Sequence, residues 1–286
     1  MRYIYNIAEL NILINLPFEL KLQEESLDFI KTAEDSEDTS DMIPFRFYPV
    51  PFISNPYNMH SVELRKYKEC KNEIKTWFYS SPDSLPYAIV EMKFEPHKID
   101  CYYLSDMVNH INYTHNIIEL IGLETLLTAY NGFMLHASFI RWNDSAILFS
   151  APSGTGKSTQ ASLWKTFENA EIINGDKTGI RYLDGKWKCY GLPNAGSSGI
   201  FRNESAPLKT VVILEQAPEN SIRRLAPSEA FGYIYNQSLV HNWDSVFTEH
   251  NIDTIMKLIE DIPVYMLSCL PDQGAVNILK EKLKEL

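Results

Sequence analysis

The nine residues from Ala151 to Thr159, APSGTGKST, put small residues, a lysine and hydroxyls in the order that holding a phosphate requires. Gly154 and Gly156 have no Cβ and reach positive φ, so consecutive N–H groups can turn inward around an anion. A helix expected from about 157 to 167 adds its free N–H groups and the positive end of its dipole. Lys157 is placed to reach β- and γ-phosphates. The Ser158 hydroxyl can complete the coordination of a magnesium ion carried by a nucleotide, and Thr159 is a weaker candidate for an α-phosphate contact. The candidate nucleotide-binding residues are therefore Ser153, Gly154, Thr155, Gly156, Lys157, Ser158 and Thr159. Ala151 stands where the pattern GxxxxGK[ST] has its first glycine, a change the loop tolerates if φ is negative there.

Asp176 is the next candidate. It follows the short apolar run Glu171 to Ile173 and the turn Asn174, Gly175, and a carboxylate at a strand end beside a phosphate loop can hold a metal directly or through water. An Asn-Gly-Asp turn with no chemistry is the alternative. His136, in the run LHAS, sits on the strand expected to pair with the one entering the loop; it is either a structural histidine or a group that approaches the γ-phosphate, a metal or the attacking atom. A second small-residue loop, Gly191 to Gly199, is either an anion nest or substrate lid with Arg202 beside it, or a plain connection.

The elements that must position these residues are legible as periodicities. Strands are expected at Ala146 to Phe149 before the loop and at Phe133 to Arg141, joined by a turn at Trp142, Asn143 and Asp144. Further strands are expected near 171–173, 179–183, 187–190, 209–214 and 263–268, and helices at 227–237, 244–262 and 272–286. The run KTVVIL at 209–214 has the character of a strand buried on both faces. Strands alternating with helices make this part α/β. Residues 1–104 carry β-like runs at 2–7, 10–14, 43–47, 74–79, 87–94 and 99–104, which define a β-rich amino-terminal module, and one helix is expected over 105–130 to lead into the core. The acidic piece Glu34 to Asp41 is either a solvated loop or a contact surface for a basic peptide.

Composition bounds the rest. A chain of 286 residues, 45% hydrophobic and 22% charged, has the material for one large domain or two unequal ones. A formal net charge of −11 argues against nucleic acid or an anionic membrane as partner. Cys70, Cys101, Cys189 and Cys269 show no CxxC spacing and suit reduced thiols. The amino terminus has no signal-peptide pattern and no run reaches the length of a membrane span, so a cytoplasmic protein is expected.

The order His136-Ala137-Ser138, then APSGTGKST, then Ile173 to Lys177 (INGDK) resembles the nucleotide core of the HPr serine kinase family and, more distantly, the ATP-dependent phosphoenolpyruvate carboxykinases. It is especially similar to the HPr-kinase-related proteins often encoded beside peptide-modification genes. The resemblance is firm over about 133–203; the first hundred residues do not share it. It implies a P-loop α/β core and a phosphotransferase using ATP and Mg2+. Lys157 and Ser158 would serve nucleotide and metal, Asp176 metal or base, and His136 the transferring phosphate. The implied acceptor is a serine or threonine on a small protein or peptide, a precursor peptide included, recruited by residues 1–104. Related kinases are commonly oligomeric, and nothing in this chain marks an interface. One departure is specific: where those families carry two adjacent aspartates, this chain has Asp176 followed by Lys177, whose ammonium either stabilises phosphate charge or points into solvent. That departure keeps open a nucleotide-binding module with little turnover, and a small-metabolite kinase is the rival within the same class.

Overall fold

A computed structural model describes residues 1–34, 38–53, 67–71, 74–80, 86–94, 97–193, 196–239 and 245–285. Residues 35–37 of the acidic piece and 194–195 of the second small-residue loop lie outside the described residues. The chain divides into two compact units, Met1–Leu126 and Leu127–Leu286.

The first unit is built on strands β1 (Arg2–Ile7), β2 (Leu10–Asn15), β3 (Ile30–Thr32), β4 (Ile43–Val50), β5 (Tyr67–Lys71), β6 (Ile74–Ser80), β7 (Pro86–Phe94) and β8 (His97–Leu104). Among the described residues they form one sheet in the order β3-β1-β2-β4-β8-β7-β6-β5. The β1–β2 hairpin turns at Ala8 and Glu9, both at positive φ (50° and 60°), the geometry that matches the twist of a two-residue hairpin. The sequence did not announce it, because Asn and Gly are the usual occupants. Alternation then buries one face: Phe45 and Phe47 of β4 point into the core, where Phe18 and Tyr103 meet Phe47 edge-on or tilted. The single helix expected over 105–130 is instead three short ones, α1 (Val108–Ile111), α2 (Thr114–Leu120) and α3 (Leu123–Ala129). Tyr113 is extended (φ −97°, ψ 142°) and Gly122 is left-handed (φ 63°), so the helical hydrogen-bond ladder stops at each. Lys21 N–H donates to the Asn112 carbonyl (2.7 Å) and Gln23 N–H to Thr114 Oγ1 (3.2 Å), which ties this segment to the first unit. The helices thus belong with the β-rich unit as far as Leu126, beyond the division expected after Leu104.

The second unit is the α/β part. Its elements are β9 (Gly132–Trp142), β10 (Ser145–Ser150), α4 (Lys157–Glu168), β11 (Glu171–Asn174), β12 (Lys177–Leu183), β13 (Lys186–Gly191), β14 (Ser205–Gln216), β15 (Ser221–Arg224), α5 (Pro227–Gln237), α6 (Ser245–Asp261), β16 (Val264–Cys269) and α7 (Gln273–Leu283). The strand order is β10-β9-β12-β13-β14-β16-β15, with β11 on β9 and a further parallel pairing of β10 with β14. Because β9 and β14 each run from one ladder into another, the path β10-β9-β12-β13-β14 returns to β10. Strand β10 is thereby hydrogen-bonded along both edges. Of the strands here, β15 and β5, like β3, were not anticipated; they are short or carry charged residues that blur the apolar period.

Helices cover both faces of this sheet, which explains the near-continuous apolar runs. Ala146 and Leu148 of β10 and Val211 and Ile213 of β14 pack with Ala230, Ile234, Ile255 and Leu258 from α5 and α6. Their alternates Ile147, Phe149, Val212 and Leu214 pack with Ala161 and Trp164 of α4 and Val276 and Leu279 of α7. Period-2 alternation with both faces buried leaves no polar position to read. Phe149 is fully buried and its ring meets Trp164 at 6.4 Å. Phe149→Ala is expected to destabilise the second unit by about 3–5 kcal/mol, read as a lower urea midpoint at unchanged slope.

Candidate functional site

The loop 151–156 leaves the carboxyl end of β10 and enters α4. Gly154 (φ 81°) and Gly156 (φ 119°) are both left-handed, and a Cβ on either would meet nothing within 4 Å, so backbone conformation and not space is what selects glycine. Gly156 is the N-cap of α4 and gives the helix no side-chain cap, leaving its first N–H groups available to an anion. Inside the loop the Thr155 N–H reaches the Pro152 carbonyl at a long 3.4 Å. Ala151, at the position where the usual pattern has glycine, is buried. Ser153, Ser158 and Thr159 are exposed.

Lys157 folds back over the loop. Its Nζ donates to the carbonyls of Ala151 (2.8 Å) and Pro152 (3.3 Å), and the residue is only 7% exposed. Burial lowers the ammonium's pKa from the ordinary lysine value, and the negative charge of Asp176 works in the opposite direction. Asp176 lies in the turn between β11 and β12.

How Asp176 comes to be there is a local matter. Asn174, buried at the end of β11, accepts the N–H groups of Asp176 (2.9 Å) and Lys177 (3.0 Å) on its side-chain oxygen and donates to the Leu192 carbonyl (2.7 Å). That is the Asn turn considered as the bland alternative, and it is also the device that presents the carboxylate. The Asp176 carboxylate meets His136 Nε2 at 3.3 Å, with the two side chains 25% and 28% exposed. His136 Nδ1 faces Gln237 Oε1 of α5 at 3.3 Å. Both ring nitrogens thus face oxygens, an arrangement satisfied by a doubly protonated ring or, with the Gln237 amide turned over, by a neutral ring carrying its proton on Nε2. Lys177 is the cross-strand partner of His136, which puts both side chains on one face of the β9–β12 pair.

The second small-residue loop closes against this group. Gly196 (φ 53°) sits so near Asp176 that a Cβ would lie 2.5 Å from its Cγ, and a Cβ on Gly175 would strike Ser198 Oγ at 2.1 Å. Arg202, considered as a neutraliser of developing charge, instead joins Arg141, Glu171 and Glu204 in a surface ion network (Arg141–Glu204 2.6 Å, Arg141–Glu171 2.7 Å, Arg202–Glu171 3.4 Å). Three contributors escaped the sequence reading: Gln237, Gln160 and Gln216 act through contacts with residues distant in sequence, which leave no local signal.

Two cavities flank the loop. One of about 600 Å3 is lined by Gly154 to Gly156, Thr159 and Gln160 on one side and Ala217, Leu270 and Cys269 on the other. The other, of about 400 Å3, lies between Ser153 to Thr155 and Glu215, Tyr233 and Met266. Lys157, His136 and Asp176 line neither. Among the described residues no group of three or more His, Cys, Asp or Glu side chains could hold a metal, and no described helix is long and apolar enough to cross a membrane.

Gly196→Ala tests the close approach. The added methyl must displace the Asp176 carboxylate and holds a left-handed backbone, so a stability loss of about 1–3 kcal/mol is expected in thermal or urea denaturation.

No curated protein matches the chain. A solved HPr(Ser) kinase/phosphatase from Coxiella burnetii is 12% identical over 53% of this chain and 97% of its own, at a TM-score of 0.32. The family model described as SynChlorMet cassette protein ScmC matches residues 103–273, more than half of the sequence and all of the glycine loop, Asp176 and His136. The chain belongs to the ScmC family.

Proposed function

We propose that the second unit is a phosphotransferase that binds ATP with Mg2+ and transfers the γ-phosphoryl group to a hydroxyl. The observation that carries this reading is the glycine loop, whose helix has no cap of its own and over which Lys157 folds, together with the His136–Asp176 pair, 3.3 Å apart, whose negative charge favours the Lys157 ammonium. The acceptor we propose is a serine or threonine on a small protein or peptide. Membership of a family described as a cassette protein supports it, since companion genes can encode that polypeptide.

In this reading the N–H groups from Ser153 to Ser158 and the α4 dipole bind and orient the phosphates, and the Lys157 ammonium exchanges its loop carbonyls for phosphate oxygens. The exposed Ser158 hydroxyl would hold a magnesium ion that arrives with the phosphates and keeps several waters, and Asp176 would reach that ion only through one of those waters, which leaves its carboxylate free to act as base. When bound, such an ion neutralises charge on the phosphoryl oxygens. The acceptor oxygen attacks the γ-phosphorus, the bond to the β–γ bridging oxygen breaks and ADP departs. Asp176 takes the hydroxyl proton, held by His136, which Gln237 fixes in turn. Lys177, on the His136 face, supplies positive charge where the resembling families carry a second carboxylate.

That substitution also favours a second reading, a nucleotide-binding module with little turnover. Incubation with γ-labelled ATP and a companion polypeptide separates the two: label on serine or threonine supports the kinase, whereas tight binding with no transfer supports the module. Lys157→Ala is expected to weaken ATP binding by tenfold or more, about 1.4 kcal/mol, and unchanged affinity would remove the loop from the reading. Asp176→Asn is expected to retain binding and lose about 10²–10⁴-fold in turnover. Because burial depresses the Lys157 pKa and a polyanion favours the charged form, ATP binding at alkaline pH is expected to take up protons. Calorimetry in buffers of different ionisation enthalpy reads that uptake, and Lys157→Arg abolishes it.

A further inference from the structure

The larger cavity beside the loop has a chemistry of its own. No charged side chain lines it; its walls are Ala217, Pro218, Cys269 and Leu270, with the Gln160 and Gln216 amides at its margins. It shares Gly154, Thr155, Gly156 and Thr159 with the loop yet excludes Lys157, His136 and Asp176, so it lies off the end of the loop away from the reacting cluster. Its volume of about 600 Å3 is within the range of small-molecule sites, and a mainly apolar wall with a few amides suits an uncharged heterocycle.

Gln160 adds the specific element. It is 2% exposed on α4, and its Nε2 donates to Cys269 Sγ (3.2 Å) and the Leu270 carbonyl (3.4 Å), pinning the segment that forms the far wall. Its Oε1 is buried with no hydrogen-bond partner. A buried acceptor without a donor is costly, and an N–H group entering the cavity relieves it if the amide turns, in exchange for the donations to Cys269 and Leu270. Gln216 Nε2 meanwhile reaches the Gly154 and Thr155 carbonyls (both 3.4 Å), joining the opposite wall to the loop.

We infer that this cavity receives the base and sugar of the nucleotide whose phosphates the loop holds, and that Gln160 selects a base with an exocyclic amino group, as in adenine; this rests on the phosphate reading of the loop. Cys269, half-buried on the cavity wall, is a built-in reporter, since Cys101 and Cys189 are buried in the core.

The experiment is alkylation of the full chain at mildly alkaline pH, with Cys269 followed by peptide mass spectrometry, in the presence of ATP, ITP or inorganic tripolyphosphate. ATP is expected to protect Cys269, tripolyphosphate to compete with ATP while leaving Cys269 reactive, and ITP, which lacks the amino group, to bind about tenfold more weakly than ATP. Ala217→Trp, which fills the cavity from a surface loop, is expected to weaken ATP about tenfold and leave tripolyphosphate binding unchanged. If ATP and tripolyphosphate bind alike, Cys269 stays reactive under both and Ala217→Trp changes neither, the cavity assignment is wrong and the loop assignment stands. If neither ligand binds, the loop assignment falls and takes this one with it. Equal binding of ITP and ATP overturns the role of Gln160, and protection of Cys269 by an acceptor polypeptide but not by ATP gives the cavity to the acceptor.

Discussion

Strand β10 is held on both edges and buried on both faces, and everything chemical in the second unit depends on that immobility. Its antiparallel bond to β9 and its parallel bond to β14 fix it in the sheet, and alternate side chains lock it to two helical layers. The loop that leaves its end inherits a fixed starting point and direction, and α4 is fixed in turn by Ala161 and Trp164. A backbone cradle works as an electrostatic device only if its dipoles need no rearrangement when charge arrives. Here the rigidity is supplied by packing, and the two left-handed glycines supply the shape.

The acidic side of the site is assembled by different means. Asp176 is not on a long element; it is presented by one turn whose amide side chain, Asn174, satisfies two N–H groups and anchors to Leu192. Gly196 then backs against the carboxylate and His136 against its oxygen. The lysine and the carboxylate are thus carried on two separately braced pieces, and the charge of Asp176 favours the Lys157 ammonium.

The legibility of the fold followed the burial pattern. Strands such as β1, β2, β10 and β14 were plain because an apolar period has only one explanation when it is bounded by turns. The segment 105–130 misled because its apolar spacing continues across Tyr113 and Gly122, and only the backbone angles reveal the breaks. In the site, the glycine loop was legible from local chemistry. Gln160, Gln216 and Gln237 were not, since a glutamine at any surface-like position reads as solvated until tertiary contacts bury it or aim it. Arg202 follows the small-residue loop in sequence, but its partners lie at Glu171 and Glu204.

That arginine's location has its own consequence. The network of Arg141, Glu171, Arg202 and Glu204 staples β9, β11 and the chain just beyond the loop that backs Asp176, and its outer members Arg202 and Glu171 are 48% and 50% exposed. Attractions of that kind fade as counterions crowd in, with a screening length of about 8 Å near physiological ionic strength. Greasy layers beneath the sheet are indifferent to electrolyte, whereas the segment backing the carboxylate is tied down by ion pairs, so dissolved salt reaches the Asp176 end of this unit without touching its foundations.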